Sequence, residues 1–167
     1  MRSPKTAWAI RLMTSANAMF SRIARQTMSY LWVTIGSAIG GLLRYSITRW
    51  TLPISAGFPY GTVIVNVLGS FIIGYFGTLT LQTGRHPASD NLRLFVMVGL
   101  CGGFTTFSSF SLQTLDALRS GAWGRAAANV VVSVVLCVAA VGAGHMLAHR
   151  AVPQEAIAET AEEEFTG

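Results

Sequence analysis

Charge is scarce in this sequence. Only 11% of its 167 residues are Asp, Glu, Lys or Arg, against about 25% in an average soluble chain. None of the four occurs from Trp50 to Gly84, from Leu94 to Leu115 or from Ala126 to His149, and a fourth gap runs from Gln26 to Leu43. Such gaps exclude an ordinary soluble domain. Acids are the rarest charges: five of the seven (Glu155, Glu159, Glu162, Glu163 and Glu164) lie in the tail after Pro153, and none sits near the middle of a gap. A proton-coupled transporter is expected to carry an ionisable residue inside the membrane, and a small multidrug transporter of this size would need a carboxylate there. Cysteine is limited to Cys101 and Cys137, both inside the gaps and without metal-ligand spacing, so small packing residues are the reading rather than a disulfide framework or metal site. No nucleophile–base pair points to an enzyme. The net charge of +5 is scattered over loops and the N-terminal arm, so nothing points to a nucleic-acid partner.

What fills the gaps is apolar. The chain is 51% hydrophobic, with a mean hydropathy of +0.50. A spanning helix needs about 20 mainly apolar residues, and the gaps supply four: roughly 29–48, 62–82, 93–117 and 125–148. Pro53, Gly57 and Pro59 make the start of the second gap a loop followed by one helix. The expected fold is therefore an all-α membrane protein with one compact domain, residues 29–150. Residues 1–28 form a basic arm (Arg2, Lys5, Arg11, Arg22, Arg25) without an acid, read either as an amphipathic segment on anionic lipid or as a leader preceding a start at Met19 or Met28. Residues 151–167 form an acidic tail, expected to be solvated.

Orientation gives no preference. With four spans both termini lie on one side, together with Arg85, Arg93 and Arg150; Arg49, Arg119 and Arg125 lie on the other, with Arg44 close by. The positive-inside rule counts Lys and Arg in short loops, and here the count is balanced. Such a core is able to insert both ways, and four helices alone form a thin core that a homodimer would complete.

The polar residues inside the spans carry the function. The third span contains Cys101-Gly-Gly-Phe-Thr-Thr-Phe-Ser-Ser-Phe-Ser111. Gly102 and Gly103 are poor helix formers, so a broken third helix is expected there. Broken backbone at membrane depth is tolerated where it is buried in protein or lines a wet cavity, and its freed groups bind ions. Phe107 and Phe110, three apart, share a helical face among hydroxyls, and a phenyl ring has a positive edge. In the second span Asn66, Ser70 and Gly74 share a face; Asn66 either makes an interhelical hydrogen bond or lines a pore. Asn129, Ser133 and Cys137 form a weakly polar stripe in the fourth span. Gly36/Gly40 and Ser37/Gly41 in the first are small-xxx-small pairs suited to close helix approach. Arg44 lies within a turn of the membrane end. His145 and His149, four apart at the end of the last span, read as headgroup-level residues.

Three motifs then resemble one family in order and spacing: Gly40-Gly-Leu-Leu-Arg44-Tyr, Gly61-Thr-Val-Ile-Val-Asn66-Val-Leu-Gly69-Ser-Phe and Gly102-Gly-Phe-Thr105-Thr-Phe107-Ser-Ser-Phe110. Together they are similar to the signature of the Fluc/CrcB fluoride channels, across most of residues 30–150. The resemblance implies a multi-pass protein of the bacterial inner membrane, an antiparallel dual-topology homodimer with two fluoride pores. It implies passive export of fluoride accumulated in the cell. It also implies a structural sodium ion at the dimer centre, held by backbone carbonyls matching Gly102 and Thr105. The fluoride pathway then includes Asn66, Ser70, Thr106, Phe107, Ser109, Phe110 and Ser133, with Arg44 and Gly103 structural. Ser109 stands where threonine is commoner in the family pattern, which keeps the hydroxyl. The arm and tail lie outside the pattern.

Overall fold

The computed structural model describes residues 4–81 and 88–150. Arg85 and the acidic tail therefore lie outside the described residues, as does Arg2. Within them every element is helical. Helix α1 runs Pro4–Thr51, α2 Tyr60–Leu79, α3 Asp90–Arg93, α4 Cys101–Phe104, α5 Phe107–Arg119 and α6 Trp123–Arg150. A π-helical stretch, Leu94–Leu100, joins α3 to α4.

Among the described residues, three helical segments are long and apolar enough to cross a membrane: Tyr60–Leu79, Asp90–Arg119 and Trp123–Arg150. They cover the second, third and fourth expected spans. The first expected span, 29–48, is helical but is diluted by Ser29, Tyr30, Thr34, Ser37, Arg44 and three glycines. It is part of a 48-residue helix, with no break near residue 28 separating arm from span. At 1.5 Å per residue α1 is about 72 Å long, more than twice the roughly 30 Å hydrocarbon layer.

Local chemistry explains where the helices stop. Pro53 lacks the N–H that a continuing α1 would need. The chain turns through Leu52–Ile54 instead, and the Ser55 hydroxyl donates to the Thr51 carbonyl at 2.7 Å. Between α5 and α6, Gly121 takes φ +74°. Gly121 N–H donates to Leu118 O and Ala122 N–H to Ala117 O, the paired closure that ends many helices with glycine in the left-handed region. Hydroxyls within the spans bond back to the preceding turn: Thr34 to Tyr30 O, Thr78 to Gly74 O, Thr114 to Phe110 O. No hydroxyl of that set is left bare in an apolar layer.

Helix packing runs through glycine. A Cβ on Gly36 would meet the Phe95 carbonyl at 2.5 Å, and one on Gly103 would meet the Ser37 carbonyl at the same distance. Gly40 lies against Leu100 and Phe104. One face of α1 thus lies backbone-to-backbone against the third segment. Gly74 and Gly144 do the same for α2 and α6, against Val141 and against Phe71 and Tyr75. Lipid tails are as apolar as leucine, so association in a membrane depends on such close packing and on hydrogen bonds. The buried apolar residues are accordingly few and mostly small (Val63, Val65, Cys101, Phe104, Ala126 and Ala148), and most large apolar side chains face outward.

Candidate functional site

The third segment is interrupted by two extended residues, Thr105 (φ −82°, ψ 160°) and Thr106 (φ −152°, ψ 110°). The position corrects the sequence reading. Gly102 and Gly103 are inside the helical turn Cys101–Phe104, and the change of backbone comes after them. Gly103 is required for contact with Ser37, whereas Gly102 faces open space, with nothing within 4 Å of a Cβ placed on it.

An interruption frees backbone groups, and each has to be satisfied. Thr105 N–H still donates to Cys101 O at 2.9 Å, as does its hydroxyl. Thr106 N–H, which in a continuous helix would reach Gly102 O, donates instead to Asn66 Oδ1 at 2.7 Å. Asn66 Nδ2 returns a bond to the Thr106 carbonyl at 3.1 Å. The asparagine side chain therefore clamps both backbone groups of one extended residue. Ser109 N–H, which would otherwise reach Thr105 O, donates to Thr106 Oγ1 at 3.1 Å, and that hydroxyl donates to Ser109 Oγ at 3.0 Å. Thr106 thus caps α5 with its side chain. The carbonyls of Gly102 and Thr105 lose the donors a helix would have given them.

Beside the interruption lies a cavity of about 300 Å³ between α2, α5 and α6. Asn66, Ser70, Thr106, Phe107, Phe110 and Ser133 line it, with Cys137, Ile73 and Val134 on its apolar side. Six residues singled out in the sequence thus converge. The two phenyl rings stand 5.3 Å apart, centroid to centroid, and are tilted by 44°. Phe107 is 79% exposed in the single chain. Ser109 is not on the wall; it is tied to Thr106. Gly69 leaves room for the Thr105 methyl group. Arg44 is half-buried on α1 and lines neither this cavity nor the next.

A second cavity, about 370 Å³, opens at the end of the bundle where α1 turns into α2. Its wall holds the hydroxyls of Thr48, Thr51, Ser55 and Ser120, with Gln113, Asp116, Arg125 and Asn129. The sequence reading did not assemble this group, because its members come from four segments. Gln113 Oε1 is buried there without a hydrogen-bond partner. Asn129, 2% exposed, lines this second cavity and bonds to Ser133 of the first. Its Nδ2 donates to Thr114 Oγ1 at 2.8 Å, and Ser133 Oγ donates to its Oδ1 at 3.4 Å. At the opposite end, Arg93 donates to Thr80 Oγ1 at 2.8 Å and to the Gly77 carbonyl, holding the end of α2. Thr78 Oγ1 lies 2.8 Å from His145 Nδ1, and the His145 and His149 rings meet edge to face.

Residues 31–145 match the family model described as CrcB-like protein, Camphor Resistance (CrcB). The chain belongs to the CrcB-like family. Among its relatives is a protein of Gluconobacter oxydans (strain 621H) named fluoride-specific ion channel FluC, 60% identical over 119 residues, which are 71% of this chain and 83% of that protein. The FluC protein of Methylobacterium radiotolerans is 64% identical over 116 residues, 70% of this chain and 81% of that one. That of Methylocella silvestris is 55% identical over 122 residues, 72% and 93% of the two chains. The CrcB-like match leaves residues 1–30 and 146–167 of this chain outside it. These relatives are named as ion channels, and this chain, with three helices long and apolar enough to cross a membrane among its described residues, is a multi-pass membrane protein.

Proposed function

We propose that this chain forms a fluoride-selective channel through which the anion leaves the cell passively. The observation that carries the reading is the cavity beside Thr105–Thr106. Phe107 and Phe110 are brought together there with Asn66, Ser70, Thr106 and Ser133, and no formal charge lines the wall. A small, strongly hydrated anion needs its water replaced by donors. The second amide hydrogen of Asn66, the positive rims of the phenyl rings and hydroxyls that turn toward the ion are such donors. Without a lysine or arginine on the wall the ion is held weakly enough to leave, which conduction requires. The FluC names of relatives up to 64% identical support fluoride as that anion. Acid carries HF into the cell, where it ionises, so a passive pathway drains the anion outward across the bacterial inner membrane.

The functional unit in this reading is an antiparallel homodimer of four-span chains, with residues 29–48 of α1 as the first span. Two exposed features support a second copy. Phe107 would stand bare against lipid in a single chain, and Gly41 and Gly102 present backbone to open space. A sodium ion on the dimer axis fits the donor set. The Gly102 and Thr105 carbonyls have lost their helical donors to Asn66 and Thr106. Neutral oxygens suit a monovalent hard cation, whereas divalent ions usually recruit carboxylates. Bound there, sodium would supply positive charge where carbonyl dipoles of two chains meet.

The test is release from liposomes. Vesicles holding only the purified protein, loaded with potassium fluoride, should empty rapidly once valinomycin carries the balancing potassium. Vesicles loaded with chloride should retain it. Equal release of both anions, or fluoride release that proceeds without valinomycin, would reject a selective passive channel.

A further inference from the structure

The hydrogen bonds around Asn129 all run in one direction. Ser133 Oγ donates to Asn129 Oδ1, Asn129 Nδ2 donates to Thr114 Oγ1, and Thr114 Oγ1 donates to the Phe110 carbonyl at 2.8 Å. The last acceptor has no hydrogen to give, so the order of the relay is fixed from that end. Nδ2 also lies 3.5 Å from the same carbonyl, which fixes which way the amide points. A serine hydroxyl has one hydrogen and two lone pairs. With its hydrogen directed to Asn129, Ser133 leaves only lone pairs free for the cavity it lines. That is the wrong polarity for an anion. The 3.4 Å bond is the longest and weakest link of the relay, and breaking it would leave Oδ1 unpaired on a residue only 2% exposed.

We propose that Asn129 is a positioning residue that sets how tightly the cavity holds an anion, by holding the Ser133 hydroxyl hydrogen away from it until the ion arrives. This rests on the fluoride reading of the same cavity. The hydroxyl rotates from Asn129 Oδ1 to the anion, and the buried carbonyl left behind offsets part of the gain. Asn129 thereby keeps occupancy weak and exit fast. The residue touches no ion; it acts through Ser133.

The prediction has opposite signs for two substitutions. Asn129→Leu removes the acceptor at similar volume, freeing the hydroxyl. The fluoride concentration giving half-maximal flux should fall, by about three- to tenfold for one weak buried hydrogen bond. Asn129→Asp offers a stronger acceptor and a negative charge, so the same concentration should rise. Asn129→Met, which also lacks the acceptor, should move it in the same direction as the leucine variant and serves if Asn129→Leu does not fold. In a Ser133→Ala background the leucine effect should vanish, as a double-mutant cycle requires for a pairwise role. Shifts of the same sign for Asn129→Leu and Asn129→Asp, or a leucine effect that survives Ser133→Ala, would overturn the inference while leaving the fluoride channel intact. A parent protein that releases no fluoride removes the channel reading, and this inference with it.

Discussion

At the scale of single residues, Asn66 changes character between sequence and structure. Its spacing from Ser70 and Gly74 marks a polar face but leaves two roles open, interhelical hydrogen bond or pore wall. The structure gives it both positions at once: it lines the cavity, and it clamps the N–H and carbonyl of Thr106. Asn66→Asp keeps the shape but loses the donor to the Thr106 carbonyl, placing acceptor against acceptor. Leaving one buried group unpaired costs about 1–3 kcal/mol, and an ionised carboxylate repels an anion as well. The expected outcome is near-complete loss of fluoride flux with a lowered melting temperature; unchanged values for both would show that the clamp is dispensable. Phe107 is separable from folding, since it contributes little burial within one chain. Phe107→Ile and Phe110→Ile should each cut flux at least tenfold, on the order of 1.4 kcal/mol in barrier, while the variant elutes as the parent does in size-exclusion chromatography. Parent-level flux in the folded double variant would make the rings mere packing.

At the scale of elements, the third segment teaches how far glycine can be read. The pair Gly102-Gly103 signals non-helical backbone by propensity, yet both residues are helical, and the extended pair is Thr105–Thr106. Propensity was overruled by packing: Gly103 must be small to meet Ser37, and Asn66 pulls Thr106 N–H out of the helix. Neither partner is near in sequence, so neither was legible from the motif. Spans two to four were legible, because charge-free stretches of that length have few other uses, and so was the convergence of Asn66, Ser70, Phe107, Phe110 and Ser133. Ser109 stands in the cap of α5 and not on the cavity wall, because a hydroxyl at a helix start serves the cap as readily as a pore. The second cavity escaped notice because Thr48, Gln113, Arg125 and Asn129 share no periodic pattern. The two glycines now make opposite predictions. Gly103→Ala drives a methyl group into the Ser37 carbonyl, so it should destabilise even an isolated chain. Gly102→Ala meets nothing within 4 Å in one chain. It should keep helicity by circular dichroism, yet weaken the dimer and the sodium dependence of flux if that face meets a second copy. Equal, unchanged dimer stability in Gly102→Ala would take Gly102 off the interface.

At the scale of the whole molecule, the single chain is unfinished. Its cavity is open, one of its two central rings is bare, and few large apolar side chains are buried. Lipid covers apolar surface well but offers nothing to freed carbonyls, so a second copy is the natural complement. In the proposed dimer, balanced arginines would let that copy be inverted. A terminal reporter on the protein lacking residues 1–28 should be found on both sides of the membrane. Two lysines added beside Arg85 should bias its orientation and lower activity as inverted partners become scarce. A single orientation with full activity would contradict the antiparallel arrangement. The central claim, a passive path selective for fluoride, is tested most directly by the reversal potential of currents through the purified protein in a planar bilayer. With a fluoride gradient and equal chloride on the two sides, the account predicts reversal at the fluoride equilibrium potential, unmoved by a pH gradient. Reversal near zero, or a shift that follows the proton gradient, would contradict it.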